Sequence, residues 1–570
     1  MADSPAKARG AAKSKAIDVV IVGSGAGGSM AAYALTRAGL NCLMLEAGRD
    51  YDPAKEVNMF ATSDMAPLRD TASPDKPFGF FDATIDGGWE VPGEPYTCAE
   101  GSTFKWWRTR MLGGRTNHWA RHVPRFGPYD FKGFSRDGQG VDWPISYDDV
   151  APWYDRTEKL VGVFGASPGL ENHPDSSPGV LMPPPQGRIY ERLIQAAAAD
   201  LGIPVVPTHT AILTRDLPDQ AAPRQACFYA TPCGRGCSIG AAFQTTTSLL
   251  PMARATGRVR VATGAMVTQV RLARPGHAAG VSYIDKATGQ THDIDARAVV
   301  LAASACETAR LLLNSGNMAN SSGQVGRNLV DTIGASASAY AEGLENRPSY
   351  NEEGVNMGHM YIPFWLYKEQ AAGKLDFHRG YHFEIGGGFG LPGPWDQDLH
   401  PAYGPGLKAA VRRSAGCNLH LTVRGEMVAN PNSFCELDPA VRDKYGLPVL
   451  RFHWAWTQND LNMVQHGTDT ARAILTRAGG RITTPAKAPQ DAISAGGEII
   501  HEVGTARMGA DPKTSVTDGW GMTWDVDNLM LADGSVMASQ PHKNPTLTIM
   551  ALAWRNCERL AHRLKTGAMA

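Results

Sequence analysis

Nowhere in the chain does an apolar run approach the ~20 residues that a bilayer-spanning helix needs, so no direct membrane span is expected. Net charge is also scarce. The 55 basic and 56 acidic residues leave a formal charge of -1, which gives no electrostatic reason to expect nucleic acid or an acidic membrane as partner. Segment 1–16 lacks the apolar core of a signal peptide and reads as a disordered lead, with no export signal of its own. The nine cysteines do not make a disulfide framework: they are odd in number, and six are dispersed along the chain.

The 570 residues, 43% of them apolar and 19% charged, are instead ordinary for a multidomain globular protein. Ile17 to Val22 is a β-branched apolar run that reads as a buried parallel strand. G-S-G-A-G-G follows at once, with Gly23, Gly25 and Gly28 in the G-x-G-x-x-G places. A helical pattern runs from Ser29 to Ala38, and a second strand from Cys42 to Leu45 ends at Glu46. Gly23 permits the tight turn, Gly25 lets the backbone approach a pyrophosphate, and Gly28 lets helix and strand pack closely. The helix N-terminus offers free N–H groups to phosphate. Glu46 lies 18 residues beyond Gly28, where a carboxylate accepts from ribose hydroxyls and repels a 2′-phosphate. These features point to a dinucleotide, FAD or NAD, rather than NADP.

A C-terminal block carries H-E-V-G-T-A-R-M-G from His501, N-L-M-L-A-D-G-S from Asn528, and P-H-K-N-P-T from Pro541. Together with the N-terminal glycines it resembles the glucose–methanol–choline (GMC) family of flavin oxidoreductases. Met111 to Trp119, Val299 to Gly316 and Gly326 to Asp331 add further matches, while the likeness is weak from about Tyr340 to Gln490. The resemblance implies an α/β fold: a Rossmann-type FAD-binding domain with an interleaved α+β substrate domain built on an antiparallel sheet. The FAD domain would take residues 17–135, 226–331 and 494–564, and the substrate domain 136–225 and 332–493. Cys417 to Arg424 and Val449 to Trp454 read as strands of a pocket wall in the latter.

The same resemblance implies site residues. His501 would act as base, taking the hydroxyl proton while hydride leaves the same carbon for the flavin, and Asn544 would orient the substrate oxygen. A histidine near its ordinary pKa of about 6.5 suits that task. His542 is a rival for the same role. Gly113, Gly114, Asn117, His118, Val267, Asp533, Pro545 and Thr546 would contact the cofactor. Asp533 could equally cap a turn. His118 either carries the flavin covalently or packs beside Trp119. Tyr361, Trp365, Tyr381, Trp395 and Trp454 could stack on sugar faces, and Asp396 and Asp398 could bind sugar hydroxyls, although packing or a solvated loop explains them as well.

Cys227, Cys233 and Cys237 form C-x5-C-x3-C, in which Gly234 and Gly236 could turn N–H groups toward sulfur. Soft thiolates suit an iron–sulfur cluster or zinc, and structural thiols remain the alternative. The spacing resembles the three-iron site of bacterial FAD-dependent glucose and fructose dehydrogenases, and Pro232 to Gly240 with the His501 block resembles glycoside 3-dehydrogenases. That resemblance implies a [3Fe-4S] cluster, a cytochrome c acceptor, and a small companion subunit whose export signal carries both to the periplasm. The expected reaction is oxidation of a secondary hydroxyl, C3 favoured, of a sugar or glycoside. The alternatives are a stand-alone oxidase with structural cysteines, which would be cytoplasmic, and a non-redox flavin lyase.

Overall fold

The computed structural model describes residues 16–57, 87–217, 224–228, 233–347, 358–388 and 404–568. The proposed lead, Pro232, Trp395, Asp396 and Asp398 lie outside them, apart from Ala16. Two sheets organise the chain, and both answer to the expected fold class. The first is parallel and five-stranded, in the order Leu529–Leu531, Ala298–Leu301, Val19–Val22, Cys42–Leu45, Val259–Ala262. Val19 to Val22 and Ala298 to Leu301 are buried along their whole length. An apolar run without alternation belongs in a sheet covered on both faces. Helices Ala26–Arg37 and Thr546–Thr566 pack on each other beside it, and the antiparallel hairpin Ala265–Arg274/His277–Asp285 packs against strands of the sheet elsewhere.

The second sheet is six-stranded, in the order Arg481–Ile482, Ile333–Tyr340, Asn418–Gly425, Tyr381–Gly388, Met360–Ile362, Val206–Pro207. Its two longest neighbours alternate. Leu419, Leu421, Val423, Tyr381 and Phe383 are fully buried on the face covered by helices Gln458–Arg477 and Ile189–Ala199. The intervening residues, His382, Glu384, His420, Thr422 and Arg424, share the opposite face. Helix Gln458–Arg477 starts at a capping box in which Thr457 and Asp460 satisfy each other's backbone N–H.

The segment expected as a second pocket-wall strand goes elsewhere. Pro448–His453 pairs with Phe434–Arg442 and Thr97–Cys98 in a separate three-stranded sheet, because its apolar side chains meet an aromatic group: Phe452 stacks on Phe104 at 4.3 Å. No helix among the described residues is long and apolar enough to cross a membrane.

Candidate active site

A cavity of about 600 Å³ runs from the glycine turn of the parallel sheet to the polar face of the antiparallel one. Its first end is shaped by missing side chains. Gly23 has φ of 96°, and a Cβ there would lie 2.4 Å from the Ala302 carbonyl oxygen. A Cβ on Gly28 would lie 2.0 Å from the Gly23 oxygen, and one on Gly27 only 1.8 Å from the Ala532 oxygen. Gly27 therefore does the same packing work as Gly28, which the motif spacing alone did not reveal. Gly25 differs: a Cβ there would meet nothing within 4 Å. Gly25 lines the cavity at the start of helix Ala26–Arg37, which no side chain caps. Its first N–H groups remain available to an anion.

Glu46 is buried on the cavity wall. Its carboxylate accepts from the Ser24 N–H at 3.1 Å and the Gly48 N–H at 2.7 Å, so it is fixed before any ligand arrives. Asp533 is both things the sequence allowed. It caps the turn Gly534–Val536 through the Ser535 N–H at 2.9 Å, and it lines the cavity. Burial pushes its carboxyl above the usual range. Gly114, Val267, Pro545 and Thr546 are also on the wall. Gly113 and Asn117 are not. Gly113 donates to Ser24 Oγ at 2.8 Å, and the Asn117 amide is spent on Leu112 O and Thr246 Oγ1. Both hold the loop from behind. His118 lines the cavity with Nε2 2.9 Å from Thr109 Oγ1. It packs edge-on to Trp107, and Trp119 lines the same cavity.

At the second end, His501 Nε2 lies 3.4 Å from Asn544 Nδ2, and His501 Nδ1 lies 2.9 Å from Thr332 Oγ1. The Asp331 carboxylate accepts the His501 backbone N–H at 2.9 Å. Ile500 just before it has φ of 65°, a left-handed conformation costly for a β-branched residue and one that the surrounding contacts must impose. The expectation of an ordinary histidine pKa is corrected. Burial first, then the positive Arg424, lowers the His501 pKa to about 3, so the ring is neutral. His542 is off the wall. Its Nδ1 is 3.3 Å from His382 Nδ1, and the next residue, Lys543, is anchored to buried Asp130 at 2.6 Å. The loop thus turns Asn544, not His542, to the cavity. Tyr361, Trp365, Tyr381 and Trp454 do not line it. They pack among other rings, as Tyr381 does on Phe383 and Trp454 on Trp456.

Among the wall residues that sequence reasoning missed are His122, Glu384 and Arg424. Glu384 Oε2 accepts from Arg424 Nε at 3.1 Å, and Oε1 lies 3.4 Å from Asn544 Nδ2. Burial works to raise the Glu384 carboxyl, but Arg424 and His382 outweigh it and hold it well below the usual range. The signal was present in the alternation H-F-E-I and H-L-T-V-R, but alternation does not say which face is solvated.

The three clustered cysteines share a small apolar core with Phe164, Met182, Ile212 and Leu213. Cys233 and Cys237 are buried and Cys227 partly so. Burial pushes the Cys233 thiol up to about 12. The Gly236 N–H does not serve sulfur as expected: it donates to the Cys233 carbonyl at 3.1 Å, closing a tight turn with φ of 86°. Cys233 O also accepts from Arg121 at 2.8 Å. Next to it, Gly234 reaches the cavity wall. Among the described residues, no three His, Cys, Asp or Glu side chains are grouped so as to hold a metal ion.

Family models described as GMC oxidoreductase match residues 18–333 and 430–553. The chain belongs to the GMC oxidoreductase family. It is similar to 2-methyl-1,2-propanediol dehydrogenase of Mycolicibacterium austroafricanum, with 31% identity over 96% of this chain and 95% of that one. It is also similar to the fructose dehydrogenase large subunit of Gluconobacter japonicus, with 28% identity over 96% and 98%. Formate oxidase from Aspergillus oryzae shares the fold, with a TM-score of 0.64 and 15% identity over 98% of this chain and all of that one.

As a GMC oxidoreductase the chain is an FAD-dependent enzyme acting on CH–OH donors. The cavity fits FAD. Gly25 leaves open a place that a Cβ would fill, the uncapped helix N–H groups would take the diphosphate, and the Glu46 carboxylate on the same wall would accept from the ribose hydroxyls. The helix starting at Thr546 brings a second positive dipole end to the wall beside Asn544.

Proposed function

We propose that this GMC oxidoreductase oxidises a secondary hydroxyl of a sugar or glycoside, with His501 and Asn544 as the catalytic pair. One observation carries the reading: the two side chains meet at 3.4 Å on the wall of a cavity whose other end is the glycine turn. Bound FAD supplies the hydride acceptor. Thr332 Oγ1, at 2.9 Å from Nδ1, accepts the ring N–H and so leaves the Nε2 lone pair toward the substrate. Nε2 takes the hydroxyl proton, and Asn544 Nδ2 donates to the same oxygen and orients it. Burial keeps the ring neutral, so the base is ready without first losing a proton. The C3 hydroxyl is favoured, on the likeness of the cysteine loop and the His501 block to glycoside 3-dehydrogenases. The test is anaerobic mixing of the flavin-loaded enzyme with methyl glucoside, glucose and fructose. Bleaching of the flavin is expected; no bleaching by any alcohol would favour the lyase alternative and overturn the reading.

The dehydrogenase reading extends to the electron acceptor. Three soft thiols in one small core, beside Gly234 on the cavity wall, suit a [3Fe-4S] cluster in donor type. Among the described residues the thiols are not grouped as metal ligands. The similarity to a fructose dehydrogenase large subunit supports a multi-subunit assembly. On that likeness we assign a small export-competent companion, a cytochrome c acceptor and a periplasmic location. Iron content and the paramagnetic spectrum of anaerobically purified enzyme, wild type and Cys233→Ser, decide this. A three-iron signal lost in the variant is expected. Absence of iron would make the cysteines structural and favour a stand-alone oxidase.

A further inference from the structure

The substrate-side wall holds three polar side chains that the chemistry of His501 and Asn544 does not use. Glu384 pairs with Thr422 and Arg424 with His382 across neighbouring strands, which puts Glu384 and Arg424 on one face. The carboxylate is tied at one oxygen to Arg424 Nε at 3.1 Å. Its other oxygen lies 3.4 Å from Asn544 Nδ2, one residue away from the base. The terminal nitrogens of Arg424 make no hydrogen bond to the described residues, and neither does the imidazole of His122, although both residues line the cavity. Unspent donors and acceptors that border a cavity beside a catalytic pair call for a ligand that satisfies them.

The chemistry of that ligand follows from the set. A carboxylate accepts and a guanidinium donates, and a hydroxyl is the group that serves both at one oxygen. The charges of Glu384 and Arg424 cancel, and burial lowers the His122 pKa, which disfavours a charge on its ring. A substrate carboxylate would meet Glu384 and an ammonium would meet Arg424, each a like-charge contact. A bare carbon would leave the guanidinium without a partner from the substrate. We propose that Glu384, Arg424 and His122 form a clamp that reads a second hydroxyl next to the one being oxidised, which selects neutral vicinal diols and polyols over simple alcohols, acids and amines. The inference rests on the proposed function above and adds which residues choose the substrate.

The test compares cyclohexanol with cis-cyclohexane-1,2-diol as reductants of the flavin-loaded enzyme. The wild type is expected to prefer the diol by about 10- to 100-fold in kcat/KM, the range of one or two hydrogen bonds to charged groups. Glu384→Gln and Arg424→Met should each lose at least about ten-fold more on the diol than on cyclohexanol, mainly through KM. Flavin content of the purified variants reports folding. A second measurement needs no turnover: pinacol, a diol with no carbinol hydrogen, should perturb the flavin spectrum at lower concentration than tert-butanol, and the variants should lose that difference. Equal use of diol and mono-alcohol by the wild type, or equal losses on both in the variants, would overturn the clamp while leaving the hydroxyl oxidation intact. Reduction by neither alcohol and by no sugar would overturn the functional reading itself.

Discussion

At the flavin end of the cavity recognition is built from backbone and from absent side chains: Gly25 leaves open space, Gly27 and Gly28 leave none, and helix N–H groups point outward. At the substrate end it is built from charged and polar side chains, with Glu384 on a sheet face within hydrogen-bond reach of both Arg424 and Asn544. The first end binds a constant partner, so its geometry is fixed by contacts that tolerate no atom more. The second is decided by side chains that project from regular strands, where exchange costs the scaffold little. The family models cover the first end together with His501 and Asn544, while Glu384 and Arg424 lie between the matched stretches, and it is there that the proposed clamp puts the choice of substrate.

This contrast can be broken or sharpened by substitution. The largest effect should come from Gly28→Val, whose branched side chain starts 2.0 Å from the Gly23 carbonyl oxygen. Backbone on both sides cannot yield, so a loss of about 3 kcal/mol, at the top of the overpacking range, is expected from urea unfolding of the flavin-free protein. Gly25→Ala, three residues away, should leave that stability within about 0.5 kcal/mol, since its Cβ meets nothing. It should nonetheless weaken FAD binding by about ten-fold (~1.4 kcal/mol), read by flavin fluorescence titration. Equal losses of stability in the two variants would contradict the division of labour between the glycines. Thr332→Val keeps shape and removes the partner of His501 Nδ1. Flavin reduction should slow by about ten-fold, the worth of one hydrogen bond, with FAD content unchanged.

The smallest effect is one of pH. His501 is protonated only below about 3, so its rate contribution rises with pH through that value and is constant above it. Across the usual enzymatic range of about pH 5 to 8 it should add no inflection. Asp331, pushed up to about 7 by burial beside Glu502, holds the His501 backbone and titrates inside that range. A pH–rate profile should therefore show at most one limb near neutrality, absent in Asp331→Asn. A limb in the ordinary histidine range that survives Asp331→Asn would contradict the buried, neutral base.

The flavin end was legible because its signals are steric and local: strand, glycine turn, helix and acid follow one another within thirty residues, and each has one physical task. His501 and Asn544 were legible only through the family's motif, since nothing in the spacing of two residues 43 apart requires them to meet. His542 shows the limit. It stands two residues from Asn544, yet the buried Lys543–Asp130 pair turns it away from the cavity, a long-range contact that no local pattern announces. Glu384 and Arg424 were hidden for a different reason. The strand at Cys417 to Arg424 was read nearly in place, and the structure shifts it by one residue to Asn418–Gly425. It reads as part of a pocket wall, but alternation alone does not say which of its two faces meets the cavity, nor that His382 to Glu384 stand on the neighbouring strand of that face.

The central claim is that His501 serves as the base at this cavity, and rapid anaerobic mixing of wild type and His501→Ala with a sugar that bleaches the wild-type flavin tests it most directly. With FAD content equal in both, the account predicts that reduction of the variant slows by about 10²- to 10⁴-fold, the usual worth of a positioned base. Reduction at the wild-type rate would contradict it.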